Sequence, residues 1–280
     1  MNRARFAKAF TLVELLVVIA IIGILISISL PAVQASRERA RRLSCASKLS
    51  QLILALQNYE MAAGVYPAGV TNATGPIRNE AKGNHISWTA RILPYLEQPN
   101  AYRQLDFSLG AYDPKNAPVR KLGFSVLSCP SAPLTSGARS NYAACHHDVE
   151  SPIDDDNHGV FFLNRQLRHD EVLDGASHMI FVGEKRMDLS DDLGWLSGTR
   201  ATLRNTGTPL RLARSEGSTG GQQPDPITAV GGFSSFHPGG SQFVFGDGAV
   251  RFLGKHIQSQ VYQQLGHRAD GKLLDESKVW

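Results

Sequence analysis

Residues 15–36 carry no charged side chain, and residues 15–30 within them read LLVVIAIIGILISISL. This uncharged run of 22 residues constrains the chain more than any other feature. Roughly 20 helical residues, at about 1.5 Å each, span the ~30 Å hydrocarbon core of a bilayer. A helix packed on the surface of a globular core keeps one apolar stripe and a polar face, whereas here every helical face is apolar. The run therefore predicts a membrane-spanning helix. Arg3, Arg5 and Lys8 ahead of it would also suit a cleaved secretory signal. Against that, the apolar stretch ends at Pro31 and passes into a helical pattern, with no cleavage site of the Ala-x-Ala kind.

The 280 residues as a whole are globular in composition, with 42% hydrophobic and 19% charged residues, which excludes wholesale disorder. The net charge of +4 is too small for a nucleic-acid footprint, and three of the basic residues lie in the first nine positions. No nucleic-acid partner is expected. Three cysteines in a chain of this length exclude a disulfide scaffold.

Glu14 stands at the start of the apolar run, between Val13 and Leu15. A carboxylate in lipid is costly unless something pairs with it. The stretch Ala9-Phe10-Thr11-Leu12-Val13-Glu14, followed by the apolar run, resembles the processing site of type IV prepilins and pseudopilins. The resemblance implies cleavage between Ala9 and Phe10 by an inner-membrane prepilin peptidase, which also methylates the new amino terminus. It implies that Glu14 pairs with the amine of a neighbouring subunit; Phe10 and Glu14 share one face of a helical turn. Ala9 occupies a position where that family usually has Gly, which keeps the small size and predicts slower processing.

The same resemblance implies a single-pass inner-membrane protein with its amino terminus cytoplasmic and its head outside. Its partners would be the lipid bilayer and other pilin or pseudopilin subunits, in a type IV pilus or a type II secretion pseudopilus. Charge counting alone leaves the orientation open, since Arg37, Arg39, Arg41 and Arg42 outnumber the three leader cations by one. The Phe-to-Glu pattern is the more specific signal. A membrane-anchored solute-binding protein of the cell envelope is the alternative from a different functional class.

After Pro31, Leu49, Leu52, Ile53 and Leu56 recur at helical spacing, so the helix is expected to continue to residue 63, stopped by Gly64 and Pro67. Residues 1–9 are then a leader, 10–63 a transmembrane and stalk helix, and 64–280 a head. In the head, Trp88, Ile92, Tyr95 and Leu96 suggest a short helix bent at Pro94, while residues 160–163 and 179–182 read as strands. Residues 204–232, rich in Gly, Ser, Thr and Pro, read as a long mobile loop. Asp247-Gly248 between alternating runs predicts a hairpin with a two-residue turn, pairing Phe245 with Val250 and Phe243 with Phe252. A final short helix is marked by Ile257, Val261 and Leu265. The expected class is α+β and pilin-like, with the long amino-terminal helix on an antiparallel sheet and extra loops.

A second resemblance supports that fold. His237-Pro238-Gly239-Gly240, with nine residues between His237 and Asp247-Gly248, is similar to the carboxy-terminal signature of a large bacterial family of pilin-like proteins of unassigned function. Ser87-Trp88, Leu93-Pro94-Tyr95-Leu96-Glu97, Cys129-Pro130-Ser131, Asn141-Tyr142, Asp174-Gly175-Ala176-Ser177 and Gly183-Glu184 agree with it.

Among candidate sites, Cys129 and Cys145 enclose a loop of fifteen residues and are the disulfide candidates, unpaired thiols being the alternative. Their bond would contribute roughly 3 kcal/mol. Cys45 is then the odd thiol, free or buried against the helix. Cys-x-x-Cys is absent, so no zinc finger is expected. Asp154, Asp155 and Asp156 are weak calcium candidates; the twelfth position of an EF-hand starting at Asp154 is Arg165 where Glu is required. No other cofactor is expected. A catalytic triad of Ser234 or Ser235, His237 and Asp247 is set aside because Asp247 belongs to the hairpin tip and no Gly-x-Ser-x-Gly elbow occurs. The chain is expected to be no enzyme, with His237 hydrogen-bonding beside the hairpin.

Overall fold

The computed structural model describes residues 12–133, 138–186, 192–212, 225–275 and 277. Ala9 and Phe10 lie outside the described residues. The chain divides into two compact units, Met1–Arg42 and Leu43–Trp280.

Helix α1 (Leu12–Ala63) is 52 residues long and carries Glu14 in its first turn. In the first unit its most apolar stretch is entirely unburied, and it is long and apolar enough to cross a membrane. Pro31 sits within the helix without breaking it. The end of α1 is set by Gly64, whose φ of +74° suits the left-handed position after a helix and whose N–H donates to Glu60 O at 2.7 Å.

Within the second unit the expected stripe of Leu49, Leu52, Ile53 and Leu56 is buried, joined by Cys45 and Ala55. These leucines belong to one apolar cluster with the strands of the head. Two short strands, β1 (Val70–Thr71) and β2 (Ile86–Ser87), pair antiparallel and are followed by α2 (Trp88–Arg91), α3 (Pro99–Gln104) and α4 (Ala117–Arg120). The single bent helix expected around Pro94 is instead three pieces. A 3-10 turn, Leu93–Leu96, separates α2 from α3, and Glu97 closes it in the left-handed region at φ +59°. Pro94 and Pro99, lacking N–H groups, sit at the first positions of their turns, where no donor is needed.

The central sheet is built from β3 (Tyr142–His147), β4 (Ile180–Glu184), β5 (Leu203–Asn205), β8 (Gly240–Phe245) and β9 (Val250–Gly254), in the order β5-β3-β4-β8-β9. Its β3–β4, β4–β8 and β8–β9 pairs are antiparallel, whereas β5 joins β3 in parallel. A small parallel pair, β6 (Arg211–Leu212) with β7 (Ser234–Ser235), and α5 (Ser259–Gln264) complete the described elements. Every residue of β3, β4 and β8 is buried. Gly183 is required in β4, because a Cβ there would lie 2.5 Å from the Phe243 ring and 2.8 Å from Phe233.

Three expectations for the head are corrected. Residues 160–163 form no strand: they are buried, and their ladder contact is a single bridge from Leu163 to Val70. Four consecutive apolar residues fill core space as well in an irregular segment as in a strand. Residues 204–232 are not one loop, since they supply part of the edge strand β5 and all of β6; residues 213–224 lie outside the described residues. The Asp247-Gly248 turn is real but one residue longer than expected, so Val244 faces Val250 and Phe243 faces Arg251. Gly248 donates to Phe245 O at 3.0 Å and takes φ +90°, while Asp247 is not among the described residues of positive φ. A three-residue loop ending in one left-handed glycine meets that condition, whereas the two-residue turn needs two such positions.

Candidate functional site

The head gathers four donor side chains from four separate parts of the chain. Cys45 is the first buried residue of the α1 stripe. Cys129 follows the 3-10 turn Ser125–Leu127 and is held by its N–H donating to Asn141 Oδ1 at 2.9 Å. Beside it, Lys48 Nζ of α1 donates to Ser128 O at 2.6 Å. Glu184 is the last residue of β4, opposite Tyr142 of β3. His237 lies in the connection from β7 to β8, where its N–H donates to Ser235 Oγ at 3.0 Å.

Their ligand atoms all lie within 4.8 Å of one another. Cys45 Sγ and Cys129 Sγ are 2.9 Å apart, and Cys129 Sγ is 3.7 Å from His237 Nε2. His237 Nε2 is 3.2 Å from Glu184 Oε1. None of the four residues is more than 4% exposed.

Outside this ring a second set of groups fixes orientation. Glu184 Oε2 accepts from Ser235 Oγ at 2.8 Å, Gln242 N–H at 2.9 Å and Ser241 Oγ at 3.3 Å. His237 Nδ1 lies 3.5 Å from Ser131 Oγ. Glu184 Oε1 accepts no hydrogen bond, although His237 Nε2 is its neighbour. The two sulfurs are within hydrogen-bond reach, and the bond with Cys45 lowers the Cys129 thiol to about 5, against burial and with help from His237. The same bond, with burial, raises the Cys45 thiol.

This arrangement corrects the disulfide expectation. Cys129 faces Cys45, and Cys145 is a buried free thiol whose Sγ lies 3.7 Å from His147 O and 3.9 Å from Gly266 O. In β3, Cys145 is three residues beyond Tyr142, so alternation puts the two side chains on opposite faces of the sheet. The other sequence candidates are dispersed. Asp247 Oδ1 accepts from Ala249 N–H at 2.9 Å and Oδ2 lies 3.7 Å from Arg251, so this carboxylate serves the turn while His237 faces Glu184. Ser235 donates to Glu184, and Arg186 N–H donates to Ser234 Oγ. Asp154 and Asp155 belong to a turn in which Asn157 Oδ1 accepts from Asp154 N–H at 2.9 Å and Asp154 Oδ1 accepts from Asp155 N–H at 2.9 Å. Among the described residues, neither group of potential metal ligands includes Asp154, Asp155 or Asp156. The second such group is His147, Asp148 and His158, in which His147 Nδ1 and His158 Nδ1 lie 2.6 and 2.9 Å from Asp148 Oδ1.

Sequence reasoning set zinc aside by looking for closely spaced cysteines, and so missed the tetrad. The available signal was the coincidence of Cys129-Pro130-Ser131, Gly183-Glu184 and His237-Pro238 in one family pattern, which the fold converges on one point.

Comparison with known proteins places this head and its amino terminus. Residues 5–30 match the prokaryotic N-terminal methylation motif. Residues 34–260 match the family described as a protein of unknown function, DUF1559. The chain is a prepilin-like member of the DUF1559 family. This DUF1559 chain is similar to the type II secretion system core protein G of Vibrio cholerae serotype O1, at 34% identity over 128 residues, covering 40% of the chain and 85% of that protein. It is also 36% identical over 86 residues to the fimbrial protein of Neisseria meningitidis serogroup B, covering 28% of the chain. The DUF1559 chain spans 46%, less than half, of that fimbrial protein's length. No solved structure matches it.

Proposed function

We propose that this protein is a non-enzymatic, prepilin-like subunit of a type IV pilus or a type II secretion pseudopilus. The observation that carries this reading is the overlap of the methylation motif, residues 5–30, with a helix long and apolar enough to cross a membrane. A helix with this composition is stable in lipid, where its backbone groups are satisfied internally. In a filament the same surface packs against other subunits, so one segment serves first as a single-pass inner-membrane anchor and then as an assembly face. Prepilin peptidase cuts between Ala9 and Phe10 and methylates Phe10, and the head lies outside the cytoplasm. Glu14, in the first turn of α1, accepts the amine of an adjacent subunit. A non-enzymatic role is supported by the uses of Asp247 in the turn and of His237 beside Glu184.

Mass spectrometry of the protein purified from its native membrane tests the reading. The mature chain should begin at methylated Phe10, and a strain lacking prepilin peptidase should retain residues 1–9. An intact Met1 terminus in the presence of active peptidase would refute it.

A further inference from the structure

We propose that Cys45, Cys129, Glu184 and His237 form a closed tetrahedral zinc site that fastens α1 to the central sheet. The donor set is two sulfurs, one imidazole nitrogen and one carboxylate oxygen, each a zinc ligand. Zinc bonds of about 2.0–2.3 Å in a tetrahedron put the ligand atoms about 3.3–3.8 Å from one another. Of the observed separations, 3.7 Å lies within that range, 3.2 Å just below it and 2.9 Å further below. Among these three pairs the sulfurs depart most, and they have to open by less than about 1 Å to reach the zinc geometry.

Orientation supports the same conclusion. His237 Nε2 lies 3.2 Å from Glu184 Oε1 and 3.7 Å from Cys129 Sγ, so it faces an oxygen and a sulfur donor together. Their other atoms are engaged outward: Glu184 Oε2 accepts from Ser235, Ser241 and Gln242, and His237 Nδ1 faces Ser131. Metal sites orient their ligands with such an outer set of hydrogen bonds. A carboxylate and two thiols buried together without a cation are costly, whereas a divalent ion compensates them.

On binding, the thiols lose their protons to solvent, the carboxylate binds ionised and His237 binds as the neutral imidazole through Nε2; no redox change occurs. All four positions come from the protein and none is more than 4% exposed. The site is therefore structural, with no open position for water or substrate.

The experiment uses the full-length protein in detergent, purified without chelator or reductant, with its metal content measured. Retention of one zinc per chain is expected, with cobalt substitution giving the visible bands and sulfur-to-cobalt charge transfer of a tetrahedral thiolate site. Ser235→Ala, which leaves every ligand in place, should weaken zinc binding about 10–100-fold while keeping the charge-transfer band. Cys129→Ser should weaken that band, and Cys145→Ser should leave both readouts unchanged. The wild-type measurements decide the question even if Cys129→Ser fails to fold. Absence of zinc together with no thiolate-to-cobalt band, or a Cys45–Cys129 disulfide in the native protein, would overturn the proposal.

Discussion

Replacing Leu52 by Ala separates two uses of the α1 surface. Leu52 is fully buried, within the apolar cluster that includes β3, β4 and β8. Truncating a side chain so enclosed removes its transfer free energy and leaves a cavity, together about 3 kcal/mol. Two residues on, Leu54 is 56% exposed. Leu54→Ala should change stability by no more than about 0.5 kcal/mol. For a cooperative unit the size of Leu43–Trp280, the Leu52 variant should melt roughly 6–12 °C below wild type. The assay is thermal unfolding of the full-length protein in detergent, followed by near-ultraviolet circular dichroism from the buried Trp88 and Trp195. Both variants keep the membrane-spanning residues, so the micelle affects them equally. Melting of Leu52→Ala within about 2 °C of Leu54→Ala would show that the stripe is not part of the head's core.

Three further outcomes follow from particular contacts. Gly183→Ala brings a methyl group to 2.5 Å from the Phe243 ring and should cost about 1–3 kcal/mol by chemical denaturation, a loss that a simultaneous Phe243→Leu should partly recover. Glu150 accepts from Thr208, Asn205 and the N–H groups of Val230 and Gly231; burial raises its carboxyl, but these donors outweigh it and hold the group below its ordinary value. A lowered folded value means stability present above the unfolded value of about 4.3 and lost as pH falls through the folded one, so Glu150→Gln should flatten the melting profile below about pH 5; an unchanged acid limb would refute this. Glu14→Ala should leave processing and membrane insertion intact while reducing recruitment into filaments, measured by mass spectrometry and shear fractionation; assembly at the native level would rule out intersubunit pairing.

The parts of this molecule that were legible in the sequence are those dictated by local chemistry. Lipid demands an uninterrupted apolar segment, so residues 15–36 announce themselves whatever follows. The stripe from Leu49 to Leu56 is visible for a similar reason, since a helix has one period. The hairpin shows the limit of such reasoning. Asp247-Gly248 marks the place of the turn, but loop length depends on how many residues take positive φ, and only Gly248 of the pair does. That single residue moves every pairing in β8 and β9 by one. Residues 160–163 look like a strand because a buried apolar segment carries no label for its partner. The tetrad was harder still, because its members are separated by whole elements and each looks ordinary beside its sequence neighbours. Cys45 reads as a core residue of a helix, and Glu184 as a polar residue after a strand; only the sheet order brings them together.

The position of β8 has a consequence for how the chain is made. It lies between β4 and β9 in the sheet, yet it begins only at Gly240. Gln57 of α1 donates to Gly246 O across 189 residues of chain. At about 5–20 residues per second of synthesis, the strand that completes the core follows the helix by roughly 10–40 s. During that interval the leucines of α1 beyond the apolar run have only part of their sheet to lie on. A chain halted before Gly240 therefore has an anchor and the strands β3, β4 and β5, but lacks β8 and β9 to close the sheet against proteolysis.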